Sequence, residues 1–170
     1  MPNLFQYPDS IVHMHDILER DPNLLIENLQ RVLLPVDGSE LSQRAATVAF
    51  EFCRLTGATL YILHVVNLGM VQQISTMIDA DADEVLQRYI THGLKLLESF
   101  KERALEFEIE VELIVDKGLP SDKIVQIANE RHVNLIVMGA SGATGGRSVV
   151  LGSSTDRVVR RARCPVLVVK

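Results

Sequence analysis

The sequence predicts an α/β domain, a doubly wound five-stranded parallel sheet in the order 3-2-1-4-5 with helices on both faces. Three observations predict it. From residue 31 onward, short runs rich in β-branched residues alternate with longer segments of helical spacing. The run Leu135-Ile136-Val137-Met138 is continuously apolar, as expected of a strand covered on both faces. The 170 residues, 47% hydrophobic and 23% charged, suffice for one core and are too few for two full domains.

Residues 1–30 contain Pro2, Pro8 and Pro22 and two short apolar patches, around Ile11 and at 24–26, and read as an N-terminal extension to a domain of residues 31–170. The first strand is expected over 31–36, and a helix then opens at Ser39 and ends at Gly57. The second strand spans 59–66. The next and longest helix starts near Asp83, where Leu86, Ile90, Leu94, Leu97, Phe100 and Ala104 recur every three or four residues and form an apolar stripe. The third strand is placed at 108–115, with Gly118 and Pro120 punctuating the approach to a helix near Ser121. The fourth strand covers 134–138, a fourth helix opens near Ser153, and the fifth strand covers 165–169. Ser39, Ser121 and Ser153 are the expected N-caps.

Composition removes several function classes. Seventeen Lys and Arg against 22 Asp and Glu give a formal charge of -5, so nucleic acid is not an expected partner. No run approaches the roughly 18 apolar residues of a membrane span, and the first thirty residues lack the basic start of a signal peptide. Cys53 and Cys164 stand far apart with no second pair, which supports neither a disulfide framework nor a zinc site and fits a cytoplasmic location. Both read as packing residues. His13 and His15 have no third ligand nearby, and the acids from Asp79 to Glu84 lack the later Gly and Glu of a calcium loop. They are better placed to favour the dipole of the helix that follows. Arg157, Arg160, Arg161 and Arg163 read as a solvated face of the last helix.

In an open parallel sheet, ligands bind beyond the carboxyl ends of the strands where the winding reverses. With the first strand central, that place lies between strands one and four, so Pro35-Val36-Asp37-Gly38-Ser39 and Gly139-Ala140-Ser141-Gly142 converge on one crevice. The second loop is rich in glycine, which admits close backbone approach and positive φ, and it ends at Gly152-Ser153-Ser154-Thr155 on a helix start. Free amides, hydroxyls and the positive end of the dipole there suit an anion. The chain's net negative charge opposes a triphosphate, so Arg147 or a bound magnesium is expected to help. A Walker A loop fails for want of Gly at Ser141 and Lys at Arg147, and Asp37-Gly38-Ser39 stands where a Rossmann glycine motif belongs.

The spacing G-x2-G-x9-G-S made by Gly139, Gly142, Gly152 and Ser153 occurs with an opening R-V-L-L-P-V-D-G-S, the run Leu63-His64-Val65-Val66, Gly118-Leu119-Pro120 and a closing C-P-V-L-V-V. This set resembles a universal stress protein of the ATP-binding class over residues 31–170. The resemblance implies the adenine-nucleotide alpha-hydrolase-like form of the fold and ATP across the strand ends. Gly139, Gly142, Gly152, Ser153, Ser154 and Thr155 would surround ribose and phosphates, while Pro35, Val36, Asp37, Val65 and Met138 would flank base and sugar. Magnesium or manganese would be held through the phosphates. The residues agree in part: Val65 and Met138 are apolar walls, and Asp37 either holds a ribose hydroxyl or a metal-bound water or caps the first helix. The resemblance also implies a homodimer through the last strand, with Val166 and Val168 pairing across a two-fold axis. The expected function is a nucleotide-dependent stress-response or signalling module. The alternatives are a slow metal-dependent ATPase acting through Asp37 and a nucleotide-free interaction domain. Gly142→Val is expected to block phosphate approach and spare the fold.

Overall fold

The computed structural model describes residues 28–142 and 151–170. Its elements are β1 (Arg31–Pro35), α1 (Glu40–Thr56), β2 (Thr59–Asn67), α2 (Leu68–Ile78), α3 (Ala82–Leu105), β3 (Val111–Gly118), α4 (Pro120–Glu130), β4 (Leu135–Gly139), α5 (Ser153–Arg161) and β5 (Val166–Val169). All neighbouring strands are parallel and the sheet order is β3-β2-β1-β4-β5, as the sequence predicts. The expected extension, apart from residues 28–30, lies outside the described residues, as do Arg147, His13 and His15.

The central strands bury both faces. On one side Val32, Leu34, Leu60, Ile62 and Val137 meet α1 and α3, where Phe50, Leu97 and Phe100 are fully enclosed. The Arg103 guanidinium lies 5.7 Å from the Phe50 ring centre and 5.6 Å from that of Phe100, closing the outer margin of this layer by cation–π contact. On the other side Leu33, Leu63, Ile136 and Met138 meet the shorter helices α4 and α5 through Ile124, Ile127 and Val158. Among the described residues, no helix is long and apolar enough to cross a membrane.

Four local expectations are corrected. An unpredicted helix, α2, follows β2 directly because the Asn67 side chain caps it, accepting from the amides of Gly69 and Met70 at 3.0 and 3.3 Å. The third strand starts at Val111 rather than 108, since Glu108 sits in the left-handed region at φ 54 and turns the chain out of α3. Of the three serine caps only Ser39 serves: Leu119 and Gly152 occupy the N-cap positions of α4 and α5, and neither helix has a side-chain cap. Leu94, placed on the core stripe of α3, is 51% exposed, and Gly93 faces inward in its stead.

Candidate functional site

A cavity of about 520 Å³ opens where the carboxyl ends of β1 and β4 diverge. Its size falls in the ordinary range for small-molecule sites. Pro35, Val36, Asp37, Val65, Met138, Gly139, Gly142, Gly152, Ser153, Ser154 and Thr155 all line it. The two loops expected to converge therefore do so around one space.

The β1–α1 loop is held by its own side chains. Asp37 Oδ1 accepts from the Ser39 amide at 3.0 Å, Ser39 Oγ accepts from the Ser42 amide at 3.2 Å, and the Ser42 hydroxyl donates to Ser39 O at 2.9 Å. Ser39 is thus the N-cap of α1, and the cap alternative for Asp37 is displaced: its carboxylate closes a turn one step earlier. Gly38 makes that turn at φ 82, which a residue with a Cβ adopts only under strain.

Across the crevice the glycines are required by space rather than by φ. None of Gly139, Gly142 and Gly152 lies in the left-handed region, contrary to the expected conformational role. A Cβ on Gly139 would sit 2.9 Å from Leu41 Cβ and 3.0 Å from its backbone carbon, so this glycine lets α1 rest on β4. A Cβ on Gly152 would lie 3.1 Å from Ser141 Cα, where the Gly152 amide donates to Ala140 O at 2.8 Å and ties the start of α5 to the end of β4. Only Gly142 is pressed against the site itself, since a Cβ there would run into Asp37 Oδ2. Gly142→Val would therefore displace that carboxylate as well as fill the crevice.

At α5 the first backbone bond runs from the Asp156 amide to Gly152 O at 2.9 Å, so the amides of Ser153, Ser154 and Thr155 precede any acceptor within the helix. All three residues line the cavity. Thr155, 3% exposed, donates its hydroxyl to Gly139 O at 3.0 Å and locks the helix start to the end of β4. Among the described residues no Lys or Arg lines the cavity and Asp37 is its one carboxylate. The positive end of the α5 dipole is then the local source of anion affinity. Among the described residues there is also no group of three His, Cys, Asp or Glu able to hold a metal unaided. A cation sharing Asp37 with ligand phosphates fits this donor set, because magnesium is usually bound by one or two carboxylates and substrate oxygens.

The cavity extends past the expected residues to β2, α2 and α3, where His64, Asn67, Met70, Tyr89 and His92 line it. Sequence reasoning missed these. The signal present was Asn67 ahead of an uncharged helical segment, which would have brought Met70 into view. His64 Nδ1 lies 2.9 Å from Val36 O. Neither cysteine takes part: burial pushes the Cys53 thiol up to about 12 and raises that of Cys164, so both stay protonated and unreactive at neutral pH.

Comparison with known proteins places this geometry. The profile of the Universal stress protein family matches residues 28–170. Universal stress protein YxiE of Bacillus subtilis is 34% identical over 145 residues, covering 82% of this chain and 98% of its own. The solved structure of MJ0577, a universal stress protein of Methanocaldococcus jannaschii, gives a TM-score of 0.74 at 27% identity over 84% of this chain and 96% of that one. A solved universal stress protein in complex with cAMP gives 0.61 at 26% identity over 83% and 96%.

Proposed function

Because this chain is a member of the universal stress protein family, we propose that its strand-end cavity binds ATP and that occupancy of the site is what the protein signals. The observation that carries the reading is the pairing of chemistries within one cavity. Ser153, Ser154 and Thr155, whose amides have no acceptor within α5, line the same cavity as Asp37 and the apolar walls Met138 on β4 and Val65 on β2. Phosphates belong against the amides, where charge-assisted hydrogen bonds contribute about 1.5–3 kcal/mol each. Asp37 takes a ribose hydroxyl or the phosphate-bound magnesium or manganese, and Pro35, Val36, Val65 and Met138 enclose sugar and base. Arg147, between Gly142 and Gly152 in sequence and outside the described residues, supplies positive charge. The adenine nucleotide carried by a solved relative, cAMP, supports the ligand class.

The working form is a cytoplasmic homodimer. β5 is an edge strand, and Pro165 O and Val169 O accept from Ile136 and Ala140 at 3.0 and 2.8 Å on β4. Backbone groups alternate sides along a strand, so those of Val166 and Val168 face outward and can pair with a second copy. Val168→Pro, which removes an outward donor, is expected to give a monomer by light scattering with the secondary structure retained.

The central test is acid extraction of the purified protein followed by calorimetry with ATP, ADP and AMP, with and without magnesium. Co-purified ATP and a micromolar dissociation constant, about -8 kcal/mol, are expected. ADP alone in the extract would replace the reading with a slow ATPase, and no bound nucleotide with no heat of binding would reduce the cavity to an interaction surface. Gly142→Ala is expected to weaken ATP by about tenfold or more through displacement of Asp37.

A further inference from the structure

We infer that His64 is a positioning residue that fixes the Val36–Asp37 corner of the ligand cavity, and that Gly93 exists to make room for its ring. The inference deepens the ATP-binding reading and rests on it for its functional consequence. β1 ends at Pro35, paired with Leu63. Val36, one residue further, is held at both backbone groups: its amide donates to Leu63 O at 2.8 Å, and its carbonyl faces His64 Nδ1 at 2.9 Å. A carbonyl oxygen can only accept, so Nδ1 carries the proton and donates. A side chain thus carries the contact between β1 and β2 one residue beyond the strand. From that fixed point the chain turns through Asp37 and Gly38 into the Ser39 cap of α1.

The ring is itself held from the other side. Gly93 is buried in the middle of α3, an unfavourable place for glycine in a helix. A Cβ at this position would run into His64 Cδ2, and would lie 3.2 Å from Nε2 and 3.3 Å from Cγ. No rearrangement at the tip of a flexible chain relieves such a contact, because the ring is rigid and tied through Nδ1. Gly93 does not line the cavity, yet its missing side chain determines where the imidazole stands, and the imidazole determines where Val36 and Asp37 stand.

The test uses the full chain and five variants: His64→Ala, His64→Asn, His64→Gln, Gly93→Ala and the double variant His64→Ala with Gly93→Ala, each verified as folded by circular dichroism. Asparagine places an amide donor where Nδ1 stands, and glutamine carries its donor one bond too far. His64→Ala and His64→Gln are expected to weaken ATP about tenfold, the scale of an unmade hydrogen bond, with His64→Asn close to wild type. Gly93→Ala is expected to weaken ATP similarly in the wild-type background and to add nothing in the His64→Ala background. Amide exchange in the nucleotide-free proteins supplies an independent readout. Val36 and Ser39 should lose protection in every variant that loses affinity and keep it in His64→Asn. Equal behaviour of His64→Ala and His64→Asn, or additive effects of Gly93→Ala and His64→Ala, would overturn the assignment. If wild-type protein takes up no ATP, the ligand reading fails, and the exchange pattern alone then decides the role of His64.

Discussion

On one face of the sheet lie α1 and α3, 17 and 24 residues long, over fully buried Phe50, Leu97 and Phe100. On the other lie α4 and α5, 11 and 9 residues long, over a layer whose one buried aromatic among the described residues is Tyr61 and in which Ser121 and Thr155 are also buried. The first face concentrates aromatic burial and contributes most to holding the domain together. The second gives up some apolar area, and α5 brings the start of its helix to the cavity in return. The largest buried side chains thus sit on the first face and the free helix amides on the second, with β1 and β4 belonging to both and α3 reaching the cavity only through Tyr89 and His92.

The division breaks if damage to the first face reaches the ligand. Phe100→Ala is expected to cost about 3–5 kcal/mol of stability by chemical denaturation, while the folded fraction keeps the wild-type affinity for ATP. A parallel loss of affinity would show that the faces are coupled. Alkaline pH probes the same face more gently. The folded Cys53 thiol is pushed up from 9.0 to about 12, so its contribution is complete below pH 9. Between pH 9.0 and about 12 the unfolded chain loses its proton first, and stability falls as pH rises by about 1.4 kcal/mol per unit from this group. Denaturation midpoints followed across this range should lose that component in Cys53→Ala. The smallest expected effect lies on the second face and has the opposite sign. Ser121 Oγ is buried without a hydrogen-bond partner among the described residues, so Ser121→Ala should raise stability by about 1 kcal/mol. A decrease in melting temperature would mean that the hydroxyl is satisfied in solution.

The sheet order was legible because the inner strands carry apolar runs, Val32 to Leu34, Leu60 to Leu63 and Leu135 to Met138, and the turns between them carry glycine, proline or a capping serine. What escaped notice lies at the rim. β3 continues through Asp116 and Lys117, which look like loop residues, because an edge strand has a solvated side where charges belong; Asp116 is paired with Lys123 Nζ at 3.1 Å. α2 was hidden by its β-branched residues and by Gly69, both poor helix signals, although tertiary packing of Val71 against Val66 and Val85 outweighs them. The crevice itself followed from topology. His64, Tyr89 and His92 did not, because the approach of α3 to the end of β2 is a long-range contact with no local spacing to announce it. Leu94 failed for the same reason: the stripe turns by one residue at Gly93 to admit the His64 ring.

The two rims of the sheet also differ in how they meet other molecules. The β3 rim bears Glu112, Asp116 and Lys117, whereas the β5 rim from Val166 to Val169 carries no charge at all. One border is fenced and the other bare, so strand addition has a single doorway. Two copies that meet there by symmetry consume each other's doorway and leave only fenced borders outside. In the proposed dimer, assembly through this strand would therefore terminate at a pair and not propagate into a filament.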